Sequence, residues 1–147
     1  MYKRILVPTD GSPLSVKAVQ SAVAQAVATG AELVALHVVP RYPLRFYDSD
    51  SSIPNPEAAR TEKQWAEKGQ AMVESVQKSA EAEGVKAKGI IMRSDLVAES
   101  VIAAAREHNC DLIVMASHGR KGLKRLLLGS ETHHVLTHGT LPVLVVR

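Results

Sequence analysis

The chain has 147 residues, 46% hydrophobic and 22% charged, with a formal net charge of +3; this is a globular composition, enough for one domain over 1–147 that buries roughly 70% of its unfolded surface. The basic residues are scattered except at 120–125, which argues against a nucleic-acid surface with its concentrated positive face. One cysteine, Cys110, excludes an internal disulfide and fits a reducing cytoplasm, and neither a signal peptide nor an apolar run near the roughly 18 residues of a membrane span is expected.

Aromatic residues are only 3% of the chain, so its core is expected to be aliphatic. Residues 3–7 carry Ile5, Leu6 and Val7 in succession and read as a strand buried on both faces. Ser12 before Pro13 is an N-cap with proline in the first helical position, and the stripe Val19, Ala22, Val23, Ala26 and Val27 predicts a helix over 14–29 that Gly30 ends. A second strand over 32–39 stops at Pro40 and completes a right-handed βαβ unit. The segment 41–56 holds Pro43, Pro54 and Pro56 and reads as a loop of about 15 residues, a length often tied to function. A long helix is expected over 57–83, with Trp65, Met72, Val73, Val76 and Ala80 on one face and Gly84 closing it. The third strand, 85–92, is interrupted by Lys86, Lys88 and Gly89 and is placed at a sheet edge. Ser94 and Asp95 read as the cap of a third helix whose inward face is Val97, Val101, Ala104 and Ala105, ending near His108 and Asn109. A fourth strand over 111–116, a short helix over 130–137 ended by Gly139, and a fifth strand over 142–146 complete the chain.

This alternation predicts an α/β fold: a single-domain, five-stranded parallel sheet with helices on both faces. Ligands of such sheets bind beyond the carboxyl ends of the strands, where the strand order reverses. Three segments fall at that edge: Pro8, Thr9 and Asp10 after the first strand, Val38 to Pro40 after the second, and 116–130 after the fourth. The third segment opens Ala116-Ser117-His118-Gly119, runs through Arg120, Lys121, Gly122, Lys124 and Arg125, and ends in Gly129-Ser130. Small residues let the backbone approach a ligand, and a helix start offers N–H groups to an anion, so Gly119, Gly129 and Ser130 are candidate phosphate donors. The spacing matches neither the P-loop nor GxGxxG, however, and the same glycines serve equally as turn and cap residues. Asp10, followed by Gly11, reads from its spacing as a turn residue bonding its own backbone. The basic run is read as a solvated face with at most one residue on phosphate.

His134 and His138, four apart, fit one helix face as a zinc pair, but no cysteine or carboxylate is placed to complete the set, so no metal is assigned. His37 lies inside an apolar strand and reads as a satisfied core histidine. Nucleophile elbow, paired carboxylates and HExxH are all missing from the sequence, so no catalytic residue is assigned either. Tyr42, Phe46 and Tyr47 are expected to pin the long loop to its own domain.

The motifs Ile5-Leu6-Val7-Pro8-Thr9-Asp10-Gly11-Ser12, Leu36-His37-Val38, Asp111-Leu112-Ile113-Val114-Met115, Ser117-His118-Gly119, Leu127-Leu128-Gly129-Ser130 and Pro142-Val143-Leu144-Val145-Val146 together resemble the universal stress protein family. The likeness runs from end to end. The nucleotide-binding branch of that family carries Gly, two residues, Gly, nine residues, then Gly-Ser or Gly-Thr; here Gly119 and Gly129-Ser130 match, and Ala116 replaces the first glycine. The resemblance implies a Rossmann-like, adenine nucleotide alpha hydrolase-like fold that binds ATP or AMP, with Mg2+ allowed beside ATP. It assigns adenine to Pro8, Thr9 and the backbone of Val38, the ribose hydroxyls to Asp10, and the phosphates to Gly119, Gly129, Ser130 and the N–H groups of Glu131 and Thr132, with Ala116, Ser117 and His118 lining the same loop. It further implies a cytoplasmic homodimer, paired through the C-terminal strand, acting as a sensor or adaptor in the stress response. Two alternatives stand beside it: a dimer that works through protein partners without nucleotide, and a slow ATP hydrolase.

Overall fold

Ile5, Leu6 and Val7 are fully buried in the computed structural model, which describes residues 1–43, 55–119 and 127–147. Their strand, β1 (Arg4–Pro8), lies at the centre of a five-stranded parallel sheet. Around it stand β2 (Glu32–Val39), β3 (Ala87–Arg93), β4 (Leu112–Ala116) and β5 (Val143–Val146), in the spatial order β3-β2-β1-β4-β5. Strand alternation sends Ile5, Val7, Leu33, Ala35, Leu112 and Val114 to one face, against α1 (Pro13–Thr29) and α2 (Pro56–Ala82). Leu6, Val34, Leu36, Ile113 and Met115 go to the other face, against α3 (Val97–Glu107) and α4 (Ser130–His138). The α/β architecture read from the sequence is the one observed, with β3 at one edge as expected and β5 at the other.

The topology places the site. The chain steps outward from β1 through α1 to β2 and through α2 to β3, then crosses back through α3 to β4 on the far side of β1. Strand order therefore reverses between β1 and β4, with the loop after β1 leading to α1 on one face and the loop after β4 leading to α4 on the other, the position at which ligands of such sheets bind. No helix among the described residues is long and apolar enough to cross a membrane.

Several local expectations change. Helix α1 buries Ser15, Ala18, Val19, Ala22 and Ala26, while Val27 is 53% exposed; the small residues form the stripe because α1 lies close on the sheet. Strand β3 starts later than its apolar pattern suggests, because Val85 is used in the core and its N–H closes α2 on the Ala80 carbonyl at 2.9 Å. Ser94 and Asp95 do not cap α3: Ser94 Oγ accepts from Leu96 N at 3.0 Å, and Asp95 Oδ1 accepts from Arg41 N at 2.9 Å. The α3 N-terminus is instead met from α4, where Glu131 Oε2 accepts from Ala98 N at 3.0 Å.

The opposite pole is tied by charge. Asp111 accepts from Lys3 N at 2.8 Å and Arg4 N at 3.0 Å, and Arg4 pairs with Glu32 at 2.8 Å while donating to the His108 carbonyl, also at 2.8 Å. These bonds join the amino ends of β1, β2 and β4. Cys110 is buried beside them, and burial pushes its thiol up to about 11.

Candidate functional site

Thr9, the first residue beyond β1, is buried and held on every side. Its N–H donates to the Leu36 carbonyl at 2.8 Å, its Oγ1 lies 3.2 Å from Ser15 Oγ, and its carbonyl accepts from His37 Nδ1 at 2.8 Å. Because a carbonyl only accepts, His37 carries its proton on Nδ1. Asp10 follows, half buried, with Oδ1 accepting from Ser12 N at 2.9 Å. The turn reading of Asp10 is thus realised with one oxygen. The other, Oδ2, faces the loop after β4, where a Cβ placed on Gly119 would lie 2.9 Å from it.

Backbone direction decides what β2 offers the cleft. The Leu36 carbonyl faces β1, and the Val39 carbonyl faces the opposite side, accepting from Ser94 N at 3.0 Å. By strand alternation Val38 turns its N–H and C=O toward the β1 side, beyond the last paired residues, Pro8 and Leu36. A continued parallel ladder would set Val38 N–H on the Thr9 carbonyl; His37 holds that carbonyl instead. Carrying the register forward sets Asp10 level with Val38 on one side and Ser117 on the other.

The β4 side is built from backbone. Ser117 N donates to the Val146 carbonyl at 2.8 Å, and the Ser117 carbonyl accepts from Gly129 N at 2.7 Å. Thr132, buried, donates its hydroxyl to the Ala116 carbonyl at 2.8 Å. Gly129 is packed so tightly that a Cβ there would meet His118 Cα at 2.9 Å and the Ser117 carbonyl at 3.0 Å. Spacing assigns the Gly129 N–H to an anion; the structure commits it to Ser117, and the glycine serves the close approach of two backbones. The first intrahelical bond of α4 is His133 N to the Gly129 carbonyl at 2.9 Å, so the N–H groups of Ser130, Glu131 and Thr132 have no carbonyl within the helix. The Ala116 methyl groups with Leu112 and Val114 against the α1-side core. His118 is half buried, its Nδ1 3.2 Å from Ser117 Oγ.

Pro8, Thr9, Asp10, Val38, Ala116, Ser117, His118, Gly119, Gly129, Ser130, Glu131 and Thr132 therefore share one edge of the sheet. The basic residues Arg120, Lys121, Lys124 and Arg125 lie outside the described residues, as do Phe46 and Tyr47. Tyr42 itself is tied to α2: its N–H donates to Glu62 Oε1 at 3.0 Å and its ring lies 6.3 Å from that of Trp65. Among the described residues no group of three or more metal-ligating side chains comes together; His134 and His138 stack on each other at 4.1 Å.

Sequence reasoning misses three contributors. His37 is satisfied, as expected, but at the rim rather than in the core, and its partner is the Thr9 carbonyl. Gly69 of α2 makes room for that imidazole, since a Cβ there would fall 2.5 Å from His37 Cδ2. The third is the Glu131 carboxylate, which caps α3. The one signal available for His37 is its place at the carboxyl end of an apolar strand.

Comparison with known proteins identifies the family and the fold. The family model described as the universal stress protein family matches residues 1–147. Universal stress protein MJ0531 of Methanocaldococcus jannaschii is 34% identical over 147 residues, covering 100% of this chain and 83% of that protein. The solved structure of protein MJ0577, from the same organism, superposes with a TM-score of 0.82 at 32% identity, covering 99% of this chain and 96% of that one. A universal stress protein solved in complex with cAMP shares the fold, with a TM-score of 0.72 at 24% identity over 99% of this chain and 97% of that one.

Proposed function

The chain belongs to the universal stress protein family, and from that premise we propose that the edge where β1, β2 and β4 end binds an adenine nucleotide, ATP or AMP. Val38 offers its backbone N–H and C=O to the base beside Pro8 and Thr9. Asp10 accepts from the ribose hydroxyls, a role suited to a carboxylate with several lone pairs. The N–H groups of Gly119, Ser130, Glu131 and Thr132, with the Ser130 hydroxyl, receive the phosphates; Ala116, Ser117, His118 and Gly129 carry those donors. The observation that carries the reading is the meeting of Asp10 with Gly119 across the cleft, beside the start of α4. An anion at that helix start gains about 0.3–1 kcal/mol from the helix dipole. The same fold accommodates an adenine nucleotide in the protein solved with cAMP. Mg2+ enters with the phosphates of ATP, because Ser12 and the ribose already compete for the Asp10 oxygens. The reading assigns no catalytic residue.

In this reading nucleotide binding reorganises the loop that begins at Ser117 and so changes what a cytoplasmic dimer presents to partners in the stress response. The exposed edge of β5, where Leu144 is 41% exposed, is the pairing surface for a second copy. Mass spectrometry of small molecules released from freshly purified protein is the direct test, with adenine nucleotide the expected finding. Calorimetry that detects no ATP, ADP or AMP binding up to millimolar concentration overturns the nucleotide reading, and a monomeric mass by light scattering overturns the dimer.

A further inference from the structure

We infer that His37 is the positioning residue that opens the base-recognition edge of this site, an inference that rests on the nucleotide reading above. Its imidazole does not reach the cleft as a contact. It acts on the backbone of the neighbouring strand. Where two parallel strands continue side by side, the Thr9 carbonyl is the acceptor for the Val38 N–H. Here β1 pairing ends at Pro8 and Leu36, and the Thr9 carbonyl is occupied by His37 Nδ1 at 2.8 Å. A side chain of β2 thus substitutes for the next rung of the ladder, and Val38 is left with a donor and an acceptor directed at the point where β1 and β4 part.

Three features fix the substitution. The Thr9 N–H is held by the Leu36 carbonyl at 2.8 Å, so the Thr9 peptide planes are set from β2. Thr9 Oγ1 is tied to Ser15 Oγ at 3.2 Å, and Ser15 Oγ donates in turn to the Ser12 carbonyl at 2.9 Å, which anchors the loop to the first turn of α1. The imidazole is wedged from behind by Gly69, where no side chain fits. Ring, carbonyl and helix therefore form one rigid unit beneath the Asp10 turn.

The chemistry that suits the opened edge is specific. A backbone N–H beside a C=O complements N1 and the N6 amino group of adenine, an acceptor beside a donor. A 6-oxopurine reverses both positions, setting N1–H against the N–H and O6 against the C=O, and leaves two polar pairs repelling each other. Adenine selectivity over hypoxanthine is then a property of Val38 that His37 makes available.

The test compares His37→Phe with His37→Asn, since the asparagine amide nitrogen takes the place of imidazole Nδ1 and phenylalanine has no donor. In the wild-type chain without ligand the Val38 amide is expected to exchange rapidly with deuterium. In His37→Phe it becomes protected as the Thr9 carbonyl is released to it. His37→Phe is expected to lose about tenfold in ATP affinity and most of its discrimination between ATP and ITP, while His37→Asn stays within about threefold of wild type. Affinity for inorganic tripolyphosphate is unchanged in both, which separates base recognition from phosphate binding and from loss of fold. A protected Val38 amide in the wild-type chain overturns the role given to His37 and leaves the nucleotide reading standing, as does an unchanged ATP-to-ITP ratio in folded His37→Phe. A wild-type chain with an exposed Val38 amide that binds tripolyphosphate but no ATP overturns the nucleotide reading itself, and base recognition by this edge with it.

Discussion

Asp10 Oδ2 and Gly119 approach so closely across the strand-order reversal that a methyl group on Gly119 would sit 2.9 Å from the carboxylate oxygen. The same carboxylate is fastened on its other oxygen by Ser12 N at 2.9 Å, so it has little room to swing away. Gly119→Ala is therefore expected to displace the carboxylate from its ribose-accepting position. Moving the carboxylate strains its bond from Ser12 N, so stability should fall by about 1 kcal/mol. ATP affinity measured by calorimetry should fall about tenfold, the loss of one charge-assisted hydrogen bond. Unchanged affinity in this variant would separate Asp10 from the ligand.

How much of this was legible in the sequence follows from which interactions are local. The order of strands and helices was readable because buried parallel strands are uninterrupted aliphatic runs, as at Ile5-Leu6-Val7 and Leu112-Ile113-Val114. The convergence of Asp10, Val38 and Gly119 was readable as well, since topology alone brings strand ends to one edge. Contacts between distant elements were not. Nothing local marks Glu131 as the acceptor for Ala98 N, 33 residues earlier in the first turn of α3, or Gly69 as the seat of an imidazole. Gly129 looked like a phosphate donor because glycine before a helix start often is one; only the third dimension shows its N–H on Ser117. Val27 matches the helical period yet faces water, because Ala26 takes the sheet-facing position and Val27 lies one step further round the helix.

Gly129 carries a prediction of a different kind from Gly119. A Cβ there meets backbone, His118 Cα at 2.9 Å and the Ser117 carbonyl at 3.0 Å, and neither belongs to a flexible side chain. Gly129→Ala should push the loop after β4 away from α4 and cost about 1–3 kcal/mol in chemical denaturation, the range for an overpacked site. Nucleotide affinity falls with it. A bulky residue at Gly129 is thus expected to strain the fold as well as the site, against the simpler idea that it blocks ligand alone.

Glu131 separates side chain from main chain. Its carboxylate accepts from Ala98 N at 3.0 Å, whereas its N–H belongs to the first turn of α4. Glu131→Ala removes the cap of α3 and should lower stability by about 1 kcal/mol. The main-chain donor survives, so phosphate affinity should hold or rise slightly with the loss of a nearby negative charge. A large fall in tripolyphosphate affinity in this variant would show that the carboxylate, not the backbone, shapes the anion site.

The far pole sets a pH dependence. Burial raises the Asp111 pKa, but hydrogen bonds from Arg4 N and Lys3 N outweigh it and leave the carboxyl below its ordinary value. A carboxylate depressed in the folded state stabilises the fold above its unfolded pKa of about 3.9, and that contribution is lost as pH falls through the lower folded value. Denaturation of the wild-type chain and Asp111→Asn at pH 7 and near pH 3 should show a difference at neutral pH that narrows on acidification. A gap that widened in acid would reverse the assignment.

Gly69 and His37 give the sharpest sign test. Alanine is favoured over glycine inside a helix by about 1 kcal/mol, so Gly69→Ala in the middle of α2 should stabilise on propensity alone. The added methyl, however, would fall 2.5 Å from His37 Cδ2, on a ring fastened to the Thr9 carbonyl at 2.8 Å. Either the ring moves and the Thr9 bond is lost, or the helix lifts from the sheet. Each outcome costs about 1–3 kcal/mol, more than the propensity gain. Gly69→Ala should thus be net destabilising in the wild-type background. With His37→Ala already present the clash is gone, leaving Val39 Cγ2 at an ordinary 3.4 Å, and the same substitution should become stabilising. A double-mutant cycle by chemical denaturation reads this reversal directly, with a coupling of about 1–3 kcal/mol expected for residues in contact. Additive effects would mean that α2 adjusts freely at this point, and that Gly69 does not hold the imidazole in place.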